Sequence, residues 1–310
     1  MAVALVTHPA CLEHDAGFGH PECSDRLRSV LRALDAASFP GLLRLEAPRA
    51  AADELARAHP PDYVRAILAI RPDPGELVRL DPDTAMNAGS AEAALRAAGG
   101  AVAGVDAVME GRGRAAFVAT RPPGHHAEPS RPMGFCLFNN AAVAAHHARA
   151  RWGLRRVAVV DFDVHHGNGT QAMFAADPDL FYGSSHQSPC YPGTGRASER
   201  GVADNIVNAP LPPGSDGVAF RAAWRDVILP ALDDFAPELL IVSAGFDAHA
   251  ADPLAELQVE TEDFAWLTSE LVGVADRRCG GRIVSVLEGG YDLAALAQSV
   301  QVHVRALMRR

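Results

Sequence analysis

Six short apolar runs punctuate the chain: Val3–Val6, Ala115–Ala119, Val157–Val160, Leu180–Tyr182, Leu239–Ser243 and Ile283–Leu287. Each is continuous instead of alternating, as in strands buried on both faces. Between them apolar positions recur at helical spacing. This predicts helices over about Asp25–Ala36, Pro61–Ile70, Ser90–Glu110, Asn139–Arg151, Gly217–Asp234, Glu262–Arg278 and Asp292–Met308. Ser24 and Thr261 are the candidate N-caps. The Pro-rich pieces Arg71–Glu76 and Pro210–Gly214 read as surface loops. Strands alternating with helices predict an α/β fold, a mostly parallel central sheet flanked by helices on both faces. No repeat, low-complexity tract or long linker divides the 310 residues, so a single domain over 1–310 is expected.

Composition narrows the picture. At 48% hydrophobic the chain can bury a large core. No apolar run approaches the roughly 18 residues of a membrane span. Met1–Val6 lacks a basic flank and reads as the first core strand, not a secretory signal. The five Cys form no CxxC pair, which suggests free thiols in a reducing cytoplasm. A net charge of −10 argues against a nucleic-acid-binding surface. There is no Lys, so all 28 basic residues are Arg; biased genome composition accounts for this more simply than function does.

The chemistry sits just after the apolar runs. Arg121-Pro122-Pro123-Gly124-His125-His126 follows the second. Asp161-Phe162-Asp163-Val164-His165-His166-Gly167-Asn168 follows the third. Ala244-Gly245-Phe246-Asp247 follows the fifth, and Glu288-Gly289-Gly290-Tyr291 the sixth. Sites in such sheets form at the carboxyl ends of the strands, so these loops converge. Residues i and i+2 of an extended chain face the same side, which pairs Asp163 with His165. With Asp247 they make the three-ligand set of a catalytic zinc site that keeps a position for water. His125 and His126 are then free for proton transfer. Asp161 is placed to orient one imidazole. Tyr291, on a Gly-Gly turn, could donate to a developing oxyanion.

Together these residues resemble the zinc-dependent histone deacetylase superfamily, which includes acetylpolyamine amidohydrolases. The resemblance runs from His20-Pro21-Glu22 and Arg26 through Gly134-Phe135-Cys136 and Tyr191-Pro192-Gly193-Thr194-Gly195 to Tyr291. It implies an arginase-like single domain that hydrolyses acetyl-amide bonds of an acetylated lysine side chain or a small acetylated amine. It makes Asp163, His165 and Asp247 the ligands of zinc, or of iron(II) in the cell. His126 becomes the general base and acid, and His125 its electrostatic partner held by Asp161. Tyr291 polarises the carbonyl. Phe135, Tyr191 and His20 belong to the substrate tunnel, Gly134 offers its carbonyl to the substrate amide, and Arg26 lines an internal channel. Asp161, Asp163, His165, Ser184 and Ser185 resemble the family's structural potassium site. Asn168, where class I members carry Asp, and the Glu-Gly-Gly-Tyr run follow the pattern of bacterial class II-like members. Leu254 stands on the rim where polyamine-selecting relatives place a glutamate, which tilts the expectation toward acyl-lysine.

Other readings stay open at this point. A ureohydrolase shares the fold but needs a second set of bridging carboxylates, and position 249 is His. A non-catalytic acyl-binding protein would not need Tyr291 and both histidines. Gly111–Ala116 loosely fits a dinucleotide fingerprint but precedes its strand instead of following it, and no nucleophile-elbow GxSxG motif occurs. Oligomeric state, including a homo-oligomer, is not readable.

Overall fold

All six apolar runs become strands of one sheet in the computed structural model, which describes residues 2–308; Met1 and the last two arginines lie outside it. The strands are β1 (Val3–Thr7), β2 (Leu42–Glu46), β3 (Val78–Arg79), β4 (Ala85–Met86), β5 (Ala115–Val118), β6 (Val157–Asp161), β7 (Leu180–Gln187), β8 (Ile206–Leu211), β9 (Leu239–Ala244) and β10 (Ile283–Leu287). Eight of them pair in the order β2-β1-β5-β10-β9-β6-β7-β8, every neighbour parallel. The short β3 and β4 form a separate antiparallel pair. The helices are α1 (Ser24–Ala33), α2 (Ala52–Leu55), α3 (Pro61–Ala69), α4 (Ser90–Met109), α5 (Asn140–Trp152), α6 (Asn168–Phe174), α7 (Gly217–Ala223), α8 (Leu229–Phe235), α9 (Thr261–Arg278) and α10 (Leu293–Met308). None is long and apolar enough to cross a membrane.

Alternation along each strand divides the core in two. Leu5, Phe117, Val160 and Val242 join a cluster with Leu27, Trp224, Phe264 and Val304, on α1, α9, α10 and the 217–235 helices. Val6, Val118, Val159 and Ile241 face the other way, against Ala101 and Val105 of α4 and Ala141 and Ala144 of α5. Small residues let α4 lie close to the sheet. A Cβ on Gly104 would come within 3.0 Å of both Val118 and Val284.

The departures from expectation have local causes. Ser24 and Thr261 are first helical residues; the caps are Cys23 and Glu260, whose N–H donates to Asp263 Oδ2 at 2.9 Å. The helix expected over Gly217–Asp234 contains a π-helical turn, Trp224–Ile228, just ahead of Pro230, which has no N–H to give. Pro210 lies in β8, not in a loop, as an edge strand allows. β7 runs on past Tyr182 through Ser184, Ser185, His186 and Gln187. All four are buried, a polarity that masked strand character.

One buried polar link ties three elements on the first core face. His303 of α10 bonds Thr268 Oγ1 of α9 at 2.7 Å and Ser285 Oγ of β10 at 2.8 Å. Burial pushes its pKa down to about 3. Below pH 6.5 the unfolded chain takes up a proton that the folded chain refuses. His303 therefore contributes stability that is present above pH 6.5 and is lost as pH falls toward 3. His303→Gln removes the titration and should flatten unfolding free energy against pH between 4 and 6 by up to about 1.4 kcal/mol per unit. Parallel urea-denaturation series for the two proteins measure it; equal slopes would show that His303 titrates normally.

Candidate active site

The four loops singled out in the sequence follow β5, β10, β9 and β6, which are the central neighbours of the sheet. Register sets their ends almost level, with Val118 opposite Val286, Leu287 opposite Ala244 and Ser243 opposite Asp161. Asp163, His165 and Asp247 meet there, their ligand atoms all within 4.8 Å of one another and all three buried. His165 Nδ1 faces Asp163 Oδ1 at 3.1 Å and Asp247 Oδ2 at 3.2 Å. Backbone N–H groups hold the carboxylates: Gly289 N donates to Asp163 Oδ2 at 2.8 Å and Val164 N to Asp247 Oδ1 at 2.9 Å.

This donor set fits a divalent cation. Burial, and next the charge of Asp163, push Asp247 up to about 7. Burial opposes ionisation of Asp163 too, but the His125 and His165 imidazoles hold it well below the usual carboxylate range. Two dry oxygens and one imidazole nitrogen suit zinc or iron(II) better than a softer ion. Among the described residues no second group of this kind exists. His249, where a second metal would need a carboxylate, turns to Thr261 Oγ1 at 3.3 Å.

The adjacent histidines differ in their partners. His125 Nδ1 lies 2.9 Å from Asp161 Oδ2. Burial alone would depress it, but Asp163 and then Asp161 lift it to about 10. His126 Nδ1 lies 2.8 Å from the Asn168 amide oxygen. Burial, then the charges of His125 and His165, hold it well below 6.5. The rings are 4.0 Å apart.

Above this floor opens a pocket of about 200 Å³ lined by His125, His126, Gly134, Phe135, His165, Tyr191, Leu254 and Tyr291, with Asp83 and Pro123. Gly134 has φ +56, and a Cβ there would meet the His126 ring at 2.4 Å, so only glycine fits. Burial pushes the Tyr291 hydroxyl well above its ordinary pKa, against the opposing charge of Arg26, whose guanidinium lies 4.8 Å from its ring centre.

Some expected residues stand behind the wall. His20 does not line the pocket; it packs edge-on to Phe135 at 4.6 Å and bonds the Asp83 carbonyl at 3.1 Å. Cys136 is fully buried, its thiol on the Gly134 carbonyl at 3.2 Å. Arg26 is fully buried and donates to the carbonyls of Gly290, at 2.6 Å, and Glu288, and to Glu22 at 2.9 Å. It braces the Tyr291 turn. Ser184 Oγ pairs with His186 Nδ1 at 2.9 Å and Ser185 Oγ accepts from the Trp224 indole at 2.9 Å. Each hydroxyl oxygen keeps a lone pair free in these pairings, so they neither supply nor remove the potassium ligands expected of Ser184 and Ser185.

Three contributors were not anticipated. Tyr182 donates its hydroxyl to Asp161 Oδ2 at 3.1 Å and accepts from Gly167 N at 2.9 Å. Glu288 accepts from Gly124 N at 2.7 Å and His125 N at 3.2 Å, and pairs with Ser243 Oγ at 3.1 Å, so one carboxylate ties three strand ends. Asp252 accepts from Tyr291 N at 2.6 Å. Only the position of Glu288, in front of Gly-Gly-Tyr, offered a sequence signal.

Comparison with known proteins agrees with this geometry. The histone deacetylase domain family matches residues 20–307. The histone deacetylase-like amidohydrolase of Pseudomonas aeruginosa is 41% identical over 90% of this chain and 74% of its own. The mouse (Mus musculus) protein named polyamine deacetylase HDAC10 is 37% identical over 99% of this chain and 48% of its own. A solved structure, the HDA15 HD domain, superposes with a TM-score of 0.91 at 35% identity, covering 99% of this chain and 88% of that one. The chain belongs to the histone deacetylase family.

Two buried carboxylates without a cation are a liability. Asp247→Asn should raise the unfolding free energy of chelator-treated protein at pH 8 by on the order of 2 kcal/mol, because Asn has no charge to bury beside Asp163. Added zinc should raise the thermal stability of the parent but not of this variant, which should retain little metal by elemental analysis. Full metal occupancy in Asp247→Asn would remove Asp247 from the ligand set.

Proposed function

We propose that this member of the histone deacetylase family is a zinc-dependent amidohydrolase that removes acetyl groups from acyl-lysine-type amines. One observation carries the reading: the buried Asp163–His165–Asp247 group lies at the floor of a narrow pocket beside His126, a neutral imidazole whose Nδ1 is already engaged. Asp163, His165 and Asp247 would hold the ion, zinc or iron(II), which when bound supplies a Lewis acid that polarises a carbonyl and lowers the pKa of water.

The chain's own groups divide the remaining work. His126 Nε2 takes the proton of the attacking water and delivers it to the departing amine nitrogen. His125 remains protonated beside Asp161 and holds positive charge near the developing oxyanion. Tyr291 keeps its proton at neutral pH and donates it as a hydrogen bond to the carbonyl oxygen as charge grows there. Phe135 and Tyr191 flank the aliphatic stem and exclude water, and the Gly134 carbonyl accepts the substrate N–H. Leu254, apolar on the rim, favours acyl-lysine in a peptide over a substrate with a distal ammonium. Acetylpolyamines are the second reading, favoured by Asp83, a carboxylate that also lines the pocket.

Tyr291→Phe should lower kcat by roughly 10²–10³-fold with little change in KM, since the hydroxyl acts mainly on developing charge. His126→Ala should lose roughly 10²–10⁴-fold. Wild-type rates in either variant would mean the roles are misassigned.

A panel of acetyl-lysine peptides and acetylpolyamines decides the substrate. Acetyl-lysine peptides should have the higher kcat/KM, and Leu254→Glu should move the ratio toward polyamines. A tenfold or greater preference of the parent for N-acetylputrescine would reverse the assignment.

A further inference from the structure

Asn168 has an amide with two chemically different ends, and nothing in its own covalent structure decides which end faces His126. One end lies 2.8 Å from Glu128 Oε1 and 3.4 Å from the Met133 sulfur. A carboxylate and a thioether can only accept, so that end must be the NH₂. The oxygen is therefore the end that meets His126 Nδ1 at 2.8 Å. An oxygen acceptor requires a hydrogen on Nδ1, and a neutral imidazole with Nδ1–H has a bare Nε2. Polarity is thus handed from Glu128 through Asn168 to His126.

Glu128 is fixed for this task by its neighbours. Its N–H donates to the Arg131 carbonyl at 3.0 Å. The carbonyl of the next residue, Pro129, accepts from His59 Nδ1 at 3.0 Å, since His59 Nε2 receives the Asn139 N–H at 2.9 Å. No ion pair to Glu128 is present among the described residues, although the chain has 28 arginines. Glu128 is also only partly buried, so a substitution there does not disturb the packed core.

We propose that Glu128 is a positioning residue for the hydrolysis: it locks the Asn168 amide so that His126 holds its proton on Nδ1 and presents Nε2 as the base. This rests on the reading of His126 as general base. A carboxylate at position 168 would accept from His126 whichever way it turned, so only an amide needs such a lock.

The test uses the zinc-loaded full chain and three variants. Glu128→Gln offers one acceptor and one donor, so it holds the Asn168 amide less firmly than the carboxylate does and should fall between the parent and Glu128→Ala in kcat. Glu128→Ala removes the lock and should lower kcat by roughly tenfold with KM little changed. Glu128→Lys reverses the polarity: a donor turns the amide, its NH₂ faces Nδ1, and the proton moves to Nε2. That variant should lose roughly 10²-fold or more of kcat, approaching the contribution of a general base. Imidazole ¹⁵N NMR, with His126 assigned by comparison with His126→Gln, reads the tautomer independently of turnover. It should show Nδ1–H in the parent and Glu128→Gln, and Nε2–H in Glu128→Lys. An unchanged Nδ1–H signal in Glu128→Lys, or parental kcat in that variant, overturns the proposal. Should Glu128→Lys fail to fold, the contrast between Gln and Ala in kcat and tautomer decides, and equal behaviour of those two overturns it. Parental activity in His126→Ala would instead overturn the base assignment and leave the tautomer result standing.

Discussion

Two carboxylates, Asp163 and Asp247, are buried within reach of the same imidazole, and their mutual repulsion dictates most of what surrounds them. Isolated charges in a dry interior cost several kcal/mol each unless they are paired or hydrogen-bonded. Here the strand ends supply the compensation. Backbone N–H groups of Val164, His165 and Gly289 point at the oxygens, which requires the chain to pass unusually close. A Cβ at Gly245 would sit 2.0 Å from Asp163 Oδ2, and one at Gly289 would sit 2.1 Å from Asp247 Oδ2. Both glycines are therefore requirements of the carboxylates, not of the turns alone. Level register across β10, β9 and β6 brings these loops together.

The same demand explains the arginines behind the site. Arg26 and Arg121 share Glu22, all three fully buried. Arg121 also donates to the Cys11 and His14 carbonyls at 3.0 and 3.2 Å. One carboxylate between two guanidiniums leaves net positive charge at the back of a negative site. Planar guanidinium forks suit this better than an ammonium would, because each must satisfy several carbonyls and a carboxylate at fixed angles. With Arg at all 28 basic positions, the chain meets that need without exception.

Much of the site was legible because its residues follow strands that sequence can recognise. Continuous apolar runs located β5, β6, β9 and β10, and polar residues just beyond them had one place to go. What stayed hidden is whatever acts through space from an unremarkable position. Tyr182 lies within an apolar strand and reads as core until its hydroxyl is seen on Asp161. Glu128 reads as a loop carboxylate until Asn168 is found beside it. His303 sits mid-helix, with its partners 35 and 18 residues away. The edge strands escaped for a different reason. β2 is short and half-exposed, and β8 carries Asn208 and Pro210, so neither has the apolar continuity of a central strand.

His125 and His126 show how little the residue type decides. They are the same amino acid, adjacent in the chain, in one pocket, with rings 4.0 Å apart. Two positive charges at that distance in a dry site cannot coexist cheaply. Against burial, the carboxylates of Asp163 and then Asp161 lift His125 so that this ring takes the charge, and the charged ring then suppresses protonation of its neighbour. The neutral amide at 168 completes the asymmetry, since it accepts from His126 without offering a counter-charge. A divalent ion shared by Asp163 would draw on the same carboxylate that lifts His125, lowering that ring's affinity for its proton. Asp161 Oδ2 is tied to Tyr182 and His125, and its Oδ1 accepts from the Asp163 N–H at 3.1 Å, so its link to the ligand group runs through backbone. The difference in partners, a carboxylate for His125 and a neutral amide for His126, is what the proposed division of roles between the two rings rests on.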